Sequence, residues 1–194
     1  MNYIMSDKDT FAEKARKKYA DAHYKEAVYW YSRVLSLDDG DAEIFSERGV
    51  AFYHMGELEQ ALADHNRAKE LEPHNPYRYS SRAYIRDSMG DLEGAIEDYQ
   101  QAITLDPEDA VAHNNLGLLQ EKLGYHKQAK VLFEFADQLD KDAAKEGGMP
   151  QRPTNMQREI DREKPKGFWP LVKSVFTEGS TFREFLTFIR KGFR

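Results

Sequence analysis

The chain has 194 residues, no cysteine and a net charge of −6 at pH 7, with 40% hydrophobic and 32% charged residues. The lack of cysteine excludes disulfides, thiolate nucleophiles and thiolate metal sites. The first residues, MNYIMSDKDTFAEK, carry no basic region followed by an apolar stretch, and no apolar run approaches the roughly 20 residues that span a bilayer. We therefore predict a soluble, cytoplasmic protein.

Charge is divided unevenly along the chain. Residues 144–194 contain 11 Lys and Arg against 6 Asp and Glu, a net of +5, so residues 1–143 carry −11. A domain that binds nucleic acid needs a basic surface on its folded part. An acidic body with a basic tail therefore argues against nucleic-acid binding.

A 34-residue repeat runs through residues 8–143. Three series recur at this spacing: the alanines Ala27, Ala61, Ala95 and Ala129, the leucines Leu37, Leu71, Leu105 and Leu139, and the bulky residues Tyr31, His65, Tyr99 and Phe133. Each unit also holds a second helical stretch upstream, and the turn between the two helices falls on Ala22, Gly56, Gly90 and Gly124. The pattern predicts four helix pairs over 8–41, 42–75, 76–109 and 110–143.

Each unit consists of two short amphipathic helices that cannot bury their apolar faces alone. The repeated alanines allow the helices to approach closely, and the bulky series fills the space between units. Stacking the units would bury one continuous core. His65 belongs to the bulky series, so we expect an interior histidine with satisfied hydrogen bonds rather than a ligand.

This pattern resembles the tetratricopeptide repeat family over about residues 8–143. The resemblance implies an all-α, right-handed superhelical solenoid of helix-turn-helix repeats. In this family the first helix of each pair lines a concave face that binds peptides or extended protein segments. The resemblance thus implies a non-enzymatic protein-binding scaffold that needs no cofactor.

The family's groove positions can be carried over to individual residues. They fall on Arg16, Tyr19, Glu47, Tyr53, His54, Tyr77, Tyr84, Asn114 and Asn115, with Glu43, Val50, Ser81, Asp87 and Leu118 beside them. Tyrosine offers rigid apolar area with a polar tip, and an asparagine amide can pair with a peptide backbone. Asn115 matches the asparagine with which some members hold peptide backbones, but Glu47 and Ser81 replace it in the second and third units. We therefore expect no backbone-holding ladder.

Chaperone-binding members of the family clamp a C-terminal carboxylate with lysine, arginine and asparagine. The matching positions here are Ala12, Arg16, Glu47, Tyr77 and Ser81. A carboxylate that faced Glu47 would meet like-charge repulsion. We therefore do not expect chaperone tails to bind in that manner.

Sequence patterns of catalysis or metal binding are absent. No nucleotide-binding glycine loop, nucleophile elbow or metal-ligand spacing occurs, and no two of the six histidines are four residues apart. The acidic run LDDGDAE at 37–43 lacks the alternating oxygen ligands and distal glutamate of a calcium loop. We predict that the protein is not an enzyme and holds no metal.

The C-terminal part is predicted to contain a linker over 144–165 and a basic, aromatic tail over 166–194. Pro170 and Gly179 suit the start and end of one short amphipathic helix, and Thr181 with Glu184 forms a capping box for a second. The tail's apolar face is predicted to comprise Phe168, Trp169, Leu171, Phe176, Phe182, Phe185 and Ile189. Burying each large apolar side chain is worth about 1.5–3 kcal/mol, so this face should lie against another surface.

Three surfaces could cover the tail. The first is the repeats, of this chain or of a second copy, where the tail would cap the array or regulate the groove. The second is an anionic membrane surface, which attracts each nearby Lys or Arg by about 1 kcal/mol. The third is a separate protein partner. The sequence therefore predicts a protein-interaction scaffold, with a peripheral membrane adaptor or a self-association module as alternatives, and does not name the partner.

Overall fold

The structure, a computed structural model, describes residues 6–145, which form eight α-helices and no strand. The helices are α1 (Asp7–Ala20), α2 (Tyr24–Leu35), α3 (Ala42–His54), α4 (Leu58–Leu71), α5 (Pro76–Met89), α6 (Leu92–Leu105), α7 (Ala110–Lys122) and α8 (His126–Lys145). Across this part of the chain, none of the helices combines the length and the apolar character that crossing a bilayer requires.

The helices pack in chain order. The main contacts join the two helices of each pair and then the second helix of one pair to the first helix of the next, while α3 also contacts α5. This arrangement confirms the predicted all-α solenoid of helix-turn-helix repeats. The pairs begin at Asp7, Ala42, Pro76 and Ala110, and α8 runs through Lys145, two residues into the segment predicted as linker.

The turn inside each pair depends on one residue with a left-handed backbone. Gly56, Gly90 and Gly124 have φ of 76°, 82° and 84°, and Ala22 has φ of 58° at the same place in the first pair. The predicted turn positions are therefore confirmed. Glycine adopts this conformation without a steric penalty, whereas a Cβ makes it unfavourable. The backbone of Ala22 is therefore strained, whereas the turns of the other three pairs have glycine at this position.

Polar side chains begin most of the helices. The side chains of Ser6, Asp41, Asn75, Asp91 and Asp109 each accept a hydrogen bond from a backbone N–H in the first turn that follows. Such caps satisfy donors that have no partner inside the helix. Local sequence therefore sets where these five helices begin.

The two predicted core series are buried. The alanines are at most 1% exposed, and Tyr31, His65, Tyr99 and Phe133 are exposed by 2, 1, 2 and 7%. Glycine provides the space in two units, because a Cβ on Gly49 would lie 3.0 Å from His65 Nε2 and one on Gly117 would lie 2.6 Å from Phe133 Cε1. Large rings are therefore matched with a small residue on the facing helix.

His65 departs from the prediction in one respect. It is interior as expected, but neither ring nitrogen has a hydrogen-bond partner within residues 6–145, so the expected satisfied histidine is wrong. Burial, with a smaller contribution from the positive charge of Arg78, lowers the pKa of His65 to about 4. The side chain therefore packs as a neutral ring.

Two arginines each form an ion pair inside their own unit and a hydrogen bond to the preceding unit, a feature absent from the sequence prediction. Arg48 Nε and Nη2 donate to the two carboxylate oxygens of Asp64 at 2.8 and 2.7 Å, and Nη1 donates to Ser32 Oγ at 3.0 Å. These bonds link α3, α4 and α2. The same arrangement recurs 34 residues later in Arg82, Asp98 and Asn66. Because Asp64 is only 5% exposed, its charge depends on this partner.

Candidate functional site

The first helices of the first three pairs, α1, α3 and α5, line a pocket of about 160 Å³. We call the surface formed by the first helices the groove. The pocket lining comprises Arg16, Tyr19, Tyr31, Glu43, Ser46, Glu47, Val50 and Tyr77. Sites for whole small molecules have volumes of about 300–1,000 Å³. The smaller pocket suits one side chain of a longer ligand.

Four of the nine predicted groove residues line this pocket, namely Arg16, Tyr19, Glu47 and Tyr77. Glu43 and Val50, from the wider predicted face, line it as well. Sequence reasoning missed Ser46 and Tyr31. Tyr31 comes from α2 and was assigned to the core series, since the repeat spacing indicates burial but not which end of a side chain reaches a surface.

An ion pair crosses the pocket. Arg16 Nε on α1 donates to Glu47 Oε1 on α3 at 2.7 Å. This hydrogen bond is the main cause that raises the pKa of Arg16. The second carboxylate oxygen, Glu47 Oε2, is buried and has no hydrogen-bond partner in the described part of the chain. Glu47, which lines the pocket, therefore has one carboxylate oxygen whose hydrogen bond is unmade.

Tyr31 supplies a second polar group without a partner. Its side chain lies in the pocket lining although the residue is only 2% exposed. Burial, and then the negative charge of Glu47, raises the pKa of the Tyr31 hydroxyl above its usual range. No hydrogen bond to this hydroxyl comes from residues 6–145. The neutral hydroxyl can therefore both donate to and accept from a ligand.

A network around Arg78 supports the other side of the pocket. Arg78 on α5 is 4% exposed and donates to Glu43 Oε2 at 2.9 Å, to Glu72 Oε2 at 2.8 Å and to Ser46 Oγ at 2.9 Å. Its guanidinium also lies 5.4 Å from the ring centroid of Tyr77. These bonds fix two pocket residues, Glu43 and Ser46, against α5.

A row of aromatic rings connects the first two pairs. His54 stacks on Tyr24 with ring centroids 4.8 Å apart and an interplanar angle of 11°, and its ring is 5.7 Å from that of Tyr19. Tyr53 packs edge-on against His54 at 5.5 Å. Tyr24, at the start of α2, was not among the predicted residues. Contacts with Tyr24 and His54 hold the ring of Tyr19, which also lines the pocket.

Tyr53 and Tyr84 extend the row to the third pair. Their rings are 5.3 Å apart, and their hydroxyl oxygens are 3.0 Å apart, within hydrogen-bond distance. This hydrogen bond is the main cause that raises the pKa of Tyr84. Tyr84 is 49% exposed and Tyr77, also on α5, is 54% exposed. Neither Tyr53, Tyr84 nor His54 lines the pocket itself.

The two predicted asparagines lie on α7, away from the pocket lining. Asn114 is 7% exposed, so little of its amide is open to a ligand, and Asn114 Nδ2 donates to Asn115 Oδ1 at 3.4 Å. Asn115 also forms a side-chain hydrogen bond with Tyr99, whose pKa is raised chiefly by burial. Both amides therefore already have partners within the repeats.

The predicted tail face lies outside the described residues. It comprises Phe168, Trp169, Leu171, Phe176, Phe182, Phe185 and Ile189, which remain a prediction from the sequence. Within residues 6–145, no three His, Asp or Glu side chains lie together as metal ligands would.

Three sequence models of one family match the chain. Models described as tetratricopeptide repeat match residues 42–75 and 110–143, and one described as TPR repeat matches residues 83–124. The chain belongs to the tetratricopeptide repeat family. No curated protein sequence matches it significantly.

Solved structures share the fold. The crystal structure of MamA is 24% identical and has a TM-score of 0.67, with 72% of this chain and 81% of that chain covered. The first TPR of Spaghetti (RPAP3), bound to an HSP90 peptide, is 25% identical over 64% of this chain and 99% of that chain, with a TM-score of 0.58. The Arabidopsis OM64 TPR domain is 23% identical over 59% and 94%, with a TM-score of 0.55.

Proposed function

We propose that this protein is a non-enzymatic scaffold whose groove binds an extended segment of another protein. The observation that carries the proposal is the pocket between α1, α3 and α5, which combines the exposed ring of Tyr77 with the buried, unpartnered Oε2 of Glu47. A pocket of this size accepts one side chain of a longer ligand. An extended segment can place a single side chain there while its backbone runs along the groove.

The similar domain that was solved with an HSP90 peptide supports peptide binding by this fold. The residues of the pocket nevertheless indicate a different ligand. Glu47 and Tyr77 stand where the resemblance places carboxylate-clamping residues, and Arg16 is already paired with Glu47. The proposal therefore concerns a segment that does not depend on a terminal carboxylate.

The test is selection of a random dodecapeptide display library on the full chain. The dissociation constants of recovered peptides are then measured by fluorescence polarisation. The double variant Tyr77→Ala with Tyr84→Ala removes two exposed rings from α5 and should weaken binding at least about tenfold, equivalent to about 1.4 kcal/mol. Unchanged circular dichroism would show that the fold is intact.

The matched control is Tyr29→Ala, which removes a tyrosine that is 57% exposed on α2 and contacts Trp30 instead of the pocket. This variant should bind the peptides like the wild type. Equal affinity in the double variant and the wild type would place the binding site elsewhere. Failure to recover any peptide would contradict peptide binding itself.

For residues 166–194 we propose a second binding role, supported by the opposed charges of the tail and the repeats and by the tail's apolar side chains. Either the tail caps the array or regulates the groove, or it attaches the protein to an anionic membrane. Co-sedimentation of the full chain and a protein ending at residue 163, with anionic and neutral vesicles, separates these roles. Tail-dependent pelleting with anionic vesicles alone would support the membrane adaptor, and light scattering would detect self-association.

A further inference from the structure

This inference rests on the proposed function and specifies the ligand. We propose that the pocket beside Glu47 binds the side chain of a lysine or arginine carried by the extended segment of a partner protein. Three features of the pocket carry the proposal: the unmade hydrogen bonds, the balance of charge and the aromatic lining.

The unmade hydrogen bonds require a donor. Glu47 Oε2 is buried without a partner in the described chain, and an ionised carboxylate oxygen can only accept. The hydroxyl of Tyr31, in a side chain that is 2% exposed, lines the same pocket and also lacks a partner there. The ammonium of lysine or the guanidinium of arginine brings several N–H donors and could satisfy both atoms together.

The charge balance favours a cation. Glu43 and Glu47 both line the pocket, against Arg16 as the only cationic side chain in that lining. The charge of Arg16 is offset by its pair with Glu47, and Arg78 behind the pocket lies between Glu43 and Glu72. Residues 1–143, which include these side chains, carry a net charge of −11. An incoming cation therefore meets a net attractive field.

An acidic side chain is the competing occupant, since Arg16 is half exposed, with 53% of its side chain accessible. Such a ligand would have to place its carboxylate near Glu47, because Arg16 Nε is bonded to Glu47 Oε1 at 2.7 Å. It would also leave Glu47 Oε2 without a donor. A basic side chain avoids both penalties.

The aromatic lining suits the rest of a basic side chain. Tyr19, Tyr31 and Tyr77 line the pocket, and aromatic faces attract both a cation and the aliphatic stem that carries it. A volume of about 160 Å³ leaves room for one such stem and head group. The pocket therefore matches a basic side chain in charge, hydrogen bonding and size.

The experiment selects the random dodecapeptide display library on the full chain. We expect Lys or Arg to be enriched, and Asp or Glu depleted, at one position of the recovered peptides. The best peptide is then compared with its analogue that has norleucine at that position. The analogue should bind the wild type at least tenfold more weakly.

Two variants assign this preference to the pocket. Glu47→Gln keeps the shape of the side chain and should reduce the discrimination between the peptide and its norleucine analogue to less than threefold. Tyr31→Phe removes only the hydroxyl and should weaken the basic peptide severalfold. The control Glu59→Gln changes an exposed glutamate on α4 and should retain full discrimination.

The outcomes separate this inference from the proposed function. Suppose that the recovered peptides lose affinity for the variant Tyr77→Ala with Tyr84→Ala but show no preference for a basic residue. That result would overturn the basic ligand and leave peptide binding standing. An unchanged preference for the basic peptide in Glu47→Gln would have the same meaning. The tail variant has Arg190, Lys191 and Arg194 all changed to Gln. If neither the wild type nor this variant recovers any peptide, both the basic ligand and peptide binding by the groove are overturned. If the peptides bind this tail variant severalfold more tightly than the wild type, the chain's own tail occupies the pocket. That result would overturn the proposal that the segment comes from a partner protein.

Discussion

Replacing His65 with phenylalanine should remove an acid sensitivity from the protein. His65 is 1% exposed, has no hydrogen-bond partner within residues 6–145, and has its pKa lowered by burial to about 4. Phenylalanine is the natural choice, because Phe133 occupies the equivalent place in the fourth unit and also faces a glycine, Gly117. A ring of that size therefore already fits opposite a glycine in this fold.

The direction in which pH changes the stability follows from the pKa of His65 in the folded and in the unfolded protein. In the unfolded chain a histidine has a pKa near 6.5, so the unfolded state takes up the proton first as the pH falls. The contribution of a neutral His65 to stability is therefore complete above about pH 6.5 and is lost as the pH falls toward 4. With a lowered pKa of about 4, the loss is about 3 kcal/mol in total and about 2 kcal/mol by pH 5.

The assay is urea unfolding followed by circular dichroism at 222 nm, at pH 7.5 and pH 5.0. The difference in unfolding free energy between His65→Phe and the wild type should grow by about 2 kcal/mol in favour of the variant at the lower pH. Asp64, whose pKa is raised by burial next to His65, is present in both proteins, so its own titration cancels in the difference.

His74→Phe, which removes an exposed histidine, serves as the control for the loss of an imidazole. The reasoning would be refuted if the difference for His65→Phe changed by less than about 0.5 kcal/mol between the two pH values, since a buried neutral ring requires a larger change. Such a result would mean that His65 is protonated in the folded protein with little penalty.

Two further pairs of substitutions test the backbone and the buried charges by urea unfolding at pH 7.5. Ala22→Gly relieves the left-handed backbone at φ 58° and should raise the unfolding free energy by about 1 kcal/mol, while Gly90→Ala, at φ 82° with no atom within 4 Å of the added Cβ, should lower it by a similar amount. Opposite signs or no change would contradict the strain argument. Arg48→Met leaves the charge of Asp64 buried without its 2.7 Å partner and should lower the unfolding free energy by about 3 kcal/mol, whereas adding Asp64→Leu should recover most of the loss. A double variant as unstable as Arg48→Met alone would show that packing, and not the unpaired charge, is responsible.

Much of the fold could be predicted from the sequence because its signals are local or periodic. Each turn glycine is required by the backbone of its own helix pair, and the alanine series at Ala27, Ala61, Ala95 and Ala129 marks close helix contacts at a constant spacing. The buried positions of Tyr31 and His65 follow from the same period. Repetition thus shows which residues face inward, since every unit meets its neighbour in the same way.

The tertiary structure decided how individual polar groups are paired. The resemblance to the family placed Arg16 and Glu47 on one face, but their ion pair and the unpartnered oxygen of Glu47 depend on how α1 and α3 are rotated against each other. The role of Tyr31 in the pocket likewise depends on which end of a buried ring reaches the groove. Hydrogen bonds require atoms to lie within a few tenths of an ångström, whereas a repeat pattern locates a side chain only to one face of a helix. For this reason the sequence determined the repeat scaffold and its groove, and the packing of the helices determined the chemistry within it.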